Sequence, residues 1–187
     1  MNCQIQEKKL KHLRSEIIDK ILKECWEDVW FFPSYNRVKG YLGTQDIIFL
    51  SINPSTGVFP SWHDRQYYRQ LRRYGFAGAH LTDVFKQREK TWKTLVNNRT
   101  LREEAKGFLL KEIKTIKPIL IVLIGRSYEK FYNRILKEMK ISVETISIGH
   151  YAFRFRSHKQ NRAMIRKGMK LLKKKYDELS KIKSHFP

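Results

Sequence analysis

The run from Ile47 to Ile52, apolar except for Ser51, is followed at once by Asn53, Pro54, Ser55, Thr56 and Gly57. This run constrains the fold more than any other stretch of the chain. It is short and rich in β-branched residues, which predicts a strand covered on both faces, as strands are in the parallel sheets of α/β proteins. The Asn-Pro and Ser-Thr-Gly residues that follow break the strand. Ligands of open parallel sheets bind just beyond the carboxyl ends of the strands. The polar cluster at 53–57 is therefore a candidate site, and its plain alternative is a strand-to-loop turn whose residues only shape the backbone.

The remaining sequence supplies partners for such a strand. Residues 79–84, 119–124 and 141–148 read as three more strands, the third closed by Gly125 and the fourth followed by Gly149, His150 and Tyr151. Between them lie stripes at helical spacing. Leu10, Leu13, Ile17, Ile21, Cys25 and Val29 predict an amphipathic helix over 7–30. Residues 65–74 can form a helix with Asp64 as N-cap and Gly75 as its stop. Leu101 to Ile116 form another stripe, ended by Pro118 because the residue before proline is pushed out of the helical region. Two more helices are expected near 128–139 and 160–180. Residues 86–98 read as a basic, polar loop around Trp92. Strands alternating with helices predict an α/β fold, a three-layer α/β/α sandwich around a four-stranded parallel sheet with right-handed crossovers. The expected layout is one domain over 1–187: a helix and loop over 1–44, the sheet core over 45–158, and a basic helix over 159–187.

With 39 Lys and Arg against 18 Asp and Glu, the formal charge is +21. That excess predicts a polyanionic partner, most simply nucleic acid, with a membrane surface as the weaker alternative. No apolar run approaches the ~20 residues of a spanning helix, and the amino end lacks the apolar segment of a signal peptide. The two cysteines, Cys3 and Cys25, lack metal-site spacing. The expectation is therefore an intracellular protein with reduced thiols, Cys25 in the core, and no metal or cofactor.

Three of the four strands end in polar residues: Asn53 after the first, Asp83 at the second, His150 after the fourth. Strand ends of one parallel sheet share an edge, so the three can line one pocket. Singly, each has a structural reading, as a turn, a cap or a packed imidazole.

The order of these parts resembles the uracil-DNA glycosylase superfamily, especially its mismatch-specific uracil/thymine-DNA glycosylase branch. The family's Gly-Ile-Asn-Pro-Gly motif has its counterpart in Ser51-Ile52-Asn53-Pro54-Ser55. The branch's Phe-Pro loop, aromatic pair and Gly-Phe helix end correspond to Phe59-Pro60, Tyr67-Tyr68 and Gly75-Phe76. Its second strand ends in Leu/Phe-Thr-Asn, here Leu81-Thr82-Asp83, and its last motif opens on His-Pro-Ser, here His150-Tyr151-Ala152. The resemblance spans roughly residues 45–180. It departs at Ser51 and Ser55, which replace glycines, at Asp83, which replaces the base-reading Asn, and at Tyr151-Ala152. The cysteines that hold an iron–sulfur cluster in some branches are absent.

The resemblance implies hydrolysis, without cofactor or metal, of the bond between deoxyribose and a base flipped out of the stack, by a monomer acting in base-excision repair. Asn53 would position a water, and His150 would donate a hydrogen bond to the departing base. Ser51 and Asp83 fall in the base-binding part, and Phe59 or the competing Trp62 would stack on the base. Asp83 is acceptor-only when ionised, so it suits a uracil edge less well than the family's Asn. The DNA, single-stranded or in a mismatched duplex, would be gripped by Ser55, Thr56, Phe153, Arg154 and Arg156. From His150 to the end there are twelve Lys and Arg against two Asp and Glu. Arg162, Arg166, Lys170 and Lys173 lie opposite the buried stripe of the last helix, a phosphate-binding face or a merely solvated one. The rival class, suggested by the departures, is a module with a glycosylase-like fold that binds nucleic acid without cutting the glycosidic bond.

Overall fold

The computed structural model describes residues 2–23, 29–152 and 157–185. Cys25 lies outside the described residues, as do Phe153, Arg154 and Arg156. Four strands, β1 (Gln45–Ser51), β2 (Ala79–Asp83), β3 (Leu120–Ile124) and β4 (Glu144–Ile148), form one all-parallel sheet in the order β2-β1-β3-β4. The strands alternate with helices α1 (Cys3–Lys23), α2 (Trp62–Arg73), α3 (Trp92–Asn97), α4 (Arg99–Ile116), α5 (Glu129–Glu138) and α6 (His158–His185).

The two faces of the sheet are sorted by the period of two along each strand. Ile48, Leu50, Ile121 and Leu123 pack with Leu10, Leu13 and Ile17 of α1, Leu109 and Ile113 of α4 and Ile135 of α5. Ile47, Phe49, Val122 and Ile124 pack instead with Tyr67, Tyr68 and Leu71 of α2 and Ile165, Met169 and Leu172 of α6. The result is the three-layer α/β/α sandwich, with α1, α4 and α5 on one side and α2 and α6 on the other. Burial on both faces is why the central strands read as unbroken apolar runs. No helix among the described residues is long and apolar enough to cross a membrane.

Several boundaries differ from the sequence-based reading, each for a local reason. Helix α1 begins at Cys3, because the Asn2 side chain accepts the Gln4 N–H at 2.9 Å and starts the helix earlier. Val29 is not helical. It bridges Gln87 in antiparallel fashion, while the Trp30 N–H donates to the Lys86 carbonyl at 2.8 Å. Ser61, not Asp64, caps α2. The Ser61 hydroxyl accepts the Asp64 N–H, and the Asp64 carboxylate accepts the Ser61 N–H at 2.8 Å, a reciprocal capping box. Strand β4 starts at Glu144 because residues just before it still close α5, with the Ile141 N–H bonded to the Leu136 carbonyl. Helix α6 is longer than the expected 160–180. The expected loop at 86–98 contains α3, and its Lys86 and Gln87 are buried.

The strand order reverses between β1 and β3, the place where open α/β sheets leave a crevice at their carboxyl edge. Register brings the strand ends level. Ser51 pairs with Asp83, and Ile124 with Ile148.

Candidate active site

At this edge lies a cavity of about 190 Å³, lined among others by Ser51, Asn53, Phe59, Asp83, Arg88 and His150. That is below the ~300–1,000 Å³ typical of drug-sized ligand sites, so one small group is the natural occupant. Sequence position alone grouped Asn53, Asp83 and His150, and folding does bring them into one pocket.

Asn53 is held by its own amide. Its Nδ2 donates to the Pro54 carbonyl at 3.0 Å and to the Glu89 carbonyl at 2.9 Å. Carbonyls only accept, so these partners fix which end of the side chain is the NH₂ group. Both amide hydrogens are used, and Oδ1 remains as an acceptor able to hold a water. An amide has no useful basicity, so it can position that water but not deprotonate it.

His150 presents the opposite polarity. Its Nδ1 accepts the Ala152 N–H at 3.1 Å, so in the neutral ring the hydrogen sits on Nε2. Burial, helped by the nearby His63, holds its pKa below the usual histidine value, and at neutral pH the ring is an uncharged Nε2–H donor. The ring stacks on Tyr151, centroids 5.0 Å apart, and Tyr151 stacks on Tyr67 at 4.3 Å. Tyr151 takes the place of the proline in the resembling motif and fixes the imidazole plane by stacking. Gly125, at φ 96°, ends β3 beside this ring. A Cβ there would approach the Tyr128 ring to 2.9 Å.

Asp83 is 2 % exposed, and no group among the described residues donates to its carboxyl. It does not cap a neighbouring backbone; it lines the pocket. Burial pushes its pKa up to about 7, with the Lys86 ammonium pulling against that rise and Glu112 adding to it. At neutral pH the carboxyl is thus divided between its charged, acceptor-only form and a neutral form that also donates. Ser51, its register partner on β1, has a buried hydroxyl without a hydrogen-bond partner among the described residues.

Beneath Asp83 lies a charged cluster that the sequence did not reveal. The fully buried Glu112 of α4 accepts a hydrogen bond from Thr82 at 2.8 Å, pairs with Lys86 Nζ at 3.0 Å and faces His80 Nε2 at 3.5 Å. Lys86 Nζ also donates to Thr82 Oγ1 at 2.6 Å and to the Asp83 carbonyl. Burial alone would raise the Glu112 pKa, but Lys86 and His80 outweigh it and hold it at about 2. The cluster anchors the end of β2 from below.

The other expected site residues separate. Phe59 lines the pocket, with its ring 5.6 Å from those of Trp30, Tyr35 and Tyr68. Trp62 does not line it. As the first residue of α2 it stacks on His158, 4.0 Å between centroids, with the Arg162 guanidinium over its ring. Ser55 lines the rim and its hydroxyl accepts the Gly57 N–H at 2.9 Å, whereas Thr56 is exposed on the loop outside the lining. Arg162 and Arg166 lie together in a cleft between α2 and α6, and Lys170 is exposed one turn beyond it. Lys173 is not a free phosphate ligand, for it pairs with Asp177 at 2.5 Å.

Sequence reasoning missed Trp30, Asp64 and Arg88. Arg88 donates from Nε to the Ser55 carbonyl at 2.9 Å and from its terminal nitrogen to the Gly57 carbonyl at 2.6 Å, tying down the loop after β1. Its guanidinium lies over the Trp30 ring. Only Asp64 carried a readable signal, the Ser-x-x-Asp spacing of a capping box. Among the described residues, no group of three or more His, Cys, Asp or Glu is placed to hold a metal ion. No protein-family model matches the chain, and no curated protein is a significant relative of it.

Proposed function

We propose that this chain is a DNA glycosylase of the uracil-DNA glycosylase type, hydrolysing the N-glycosidic bond of a flipped, damaged or deaminated base. The observation that carries the reading is the opposite polarity of Asn53 and His150 in the lining of one small cavity: an amide oxygen that no group among the described residues donates to, and a neutral ring whose Nε2 carries the hydrogen. Water attacks the sugar C1′, the C1′–N bond pair leaves with the base, and the proton shed by the water passes through solvent to the base, since Asn53 cannot take it. Asn53 Oδ1 positions the water, and His150 Nε2–H stabilises the negative charge that develops on the base. His150 need not be cationic, since a neutral donor in a site of low dielectric already favours an anion. Phe59 offers a face for the base. The +21 charge suits a nucleic-acid substrate. The order of motifs along the chain supports the same family.

The test is a panel of duplex and single-stranded oligonucleotides, each carrying one damaged or deaminated base, incubated with the protein and then treated with alkali. Strand breaks at a lesion support the glycosylase. Tight binding with no break at any lesion would replace it with the non-catalytic binding module.

Asp83 sets the expected base preference. The charged carboxylate meets a uracil edge with a second negative oxygen, and a buried acceptor left unpaired costs roughly 1–3 kcal/mol, more when charged. The neutral acid can accept the N3–H and donate to O4 as an amide does. Because the pKa is raised to about 7, uracil release by the parent should increase as pH falls through 7. Asp83→Asn should release uracil faster than the parent at pH 8 and lack that pH dependence. Slower release by the Asn variant at every pH would reject this assignment of Asp83.

A further inference from the structure

Five arginines converge on a second concavity, away from the pocket: Arg69, Arg72 and Arg73 from α2, and Arg162 and Arg166 from α6. The cleft has a volume of about 370 Å³ and contains no acidic side chain in its lining. None of the five is ion-paired among the described residues; Arg72 donates to the neutral Asn36 Oδ1 at 3.0 Å. Their spacing explains the convergence. Residues 69 and 73 are one turn apart on α2, and residues 162 and 166 are one turn apart on α6, so each pair forms a row along its helix. The two helices pack side by side on the same face of the sheet through Tyr67, Leu71, Ile165 and Met169.

Like charges that line one cleft repel, and helix electrostatics favours only some of them. Arg72 and Arg73 stand in the last turn of α2, where a cation complements the helix dipole. Arg162 and Arg166 sit in the amino-terminal half of α6 and gain nothing from that dipole. The floor of the cleft is closed by an amide side chain. Gln70 is 2 % exposed, and its side chain makes no hydrogen bond among the described residues, Oε1 being buried without a partner. At the end of the cleft nearer the pocket, Arg162 covers the Trp62–His158 stack, and Ser61 and Asp64, within two residues of Trp62, line the pocket itself.

We propose that the α2–α6 cleft is a phosphate-binding site that takes neighbouring phosphodiester groups of a nucleic-acid strand, led past the Trp62–His158 stack toward the pocket. Guanidinium groups bind phosphate oxygens through paired N–H donors, which suits two rows of arginine better than a diffuse lysine surface. His158, the exposed member of that stack, offers a ring on which bases of a single strand stack without sequence preference. The site goes beyond the glycosylase reading, because it needs no base chemistry. A free polyphosphate offers the same oxygens and is the competing source.

The experiment measures binding of a fluorescent oligothymidylate across a salt series. This probe has no lesion, so a protein that releases no base at all is still a fair subject. On a single strand, every phosphate that the protein no longer neutralises reduces the slope of log K against log salt by about 0.7. Arg69→Ala with Arg166→Ala should therefore flatten the slope by about 1.4 and weaken binding on the order of tenfold or more at 0.1 M salt. Arg73→Ala with Arg162→Ala should do the same, and it provides the reading if the first pair fails to fold. Lys8→Ala with Lys114→Ala, both exposed on the opposite face of the sheet, should change the slope much less. An unchanged slope in the folded cleft variants, or an equal reduction in the Lys8/Lys114 control, overturns the site. Sodium tripolyphosphate bound by the parent but not by the cleft variants, with equal oligothymidylate slopes in both, would assign the cleft to free polyphosphate and overturn the nucleic-acid assignment.

Discussion

Asn53→Ala is expected to slow base release in single turnover by on the order of 10²-fold or more, and His150→Ala by a similar factor. The two losses have different physical origins. Alanine at 53 removes the Oδ1 acceptor that holds the water. It also frees the Pro54 and Glu89 carbonyls, which lie at a partly exposed loop and can turn to solvent. Alanine at 150 removes a donor aimed at a developing charge, and the loss of one such donor typically costs ~10²–10³ in rate. Folding should survive both changes, since the residues follow β1 and β4 rather than lie inside them. A pH profile separates the roles. Burial and His63 keep the His150 pKa below its ordinary value, so in Asp83→Asn, which lacks the Asp83 titration, the rate should not fall as pH rises through 6.5. An Asp83→Asn rate that collapses there would mean that the imidazolium, not the neutral ring, is the donor. Parent-like single-turnover rates in both variants would place the chemistry elsewhere.

Glu112→Ala is expected to destabilise the fold by about 3–5 kcal/mol, because it leaves the buried Lys86 ammonium without its counter-charge. For a chain of this size that corresponds to a fall in Tm of roughly 10 °C. The pair itself is weak evidence of net stabilisation, since desolvation offsets much of its attraction. Glu112→Leu with Lys86→Met should therefore restore part of the loss. The pH dependence has a defined sign. The Glu112 pKa is lowered in the folded state to about 2 from its ordinary 4.5, so its contribution is fully present above 4.5 and is lost as pH falls from there toward 2. Asp83 runs the other way. Its folded pKa is raised to about 7, so its carboxylate costs stability as pH rises from about 4 to 7. The cluster also reaches the site. Glu112→Gln removes the charge that raises the Asp83 pKa and leaves Lys86 to lower it, so the pH below which uracil release increases should shift down. Thermal melts of these variants across pH 2–8, with uracil release measured from pH 5 upward, check both halves. An unchanged Tm in Glu112→Ala would show that the buried pair is dispensable.

The sequence by itself determined the layers, the parallel sheet and the polar edge. Hydrophobic period is a local property: an apolar run flanked by Asn-Pro or Gly is a buried strand wherever its neighbours lie, and the end of a parallel strand points to the shared edge. Asn53, Asp83 and His150 were legible for that reason. Tertiary structure decided what depends on residues far apart in sequence. The orientation of Asn53 is set by a carbonyl at Glu89, and the charge state of Asp83 by its burial, then by Lys86 and by Glu112 from α4. Lys86 looked like a solvated loop cation, because nothing local records that a carboxylate 26 positions later is buried against it. Trp62 and Phe59 were equal candidates as neighbours in one aromatic loop. Helix α2 begins at Trp62 and carries its ring to His158, leaving Phe59 in the pocket. The arginines of α2 and α6 likewise became one site only when the sheet placed the two helices side by side, since charge composition is additive along a chain but convergence is a property of packing.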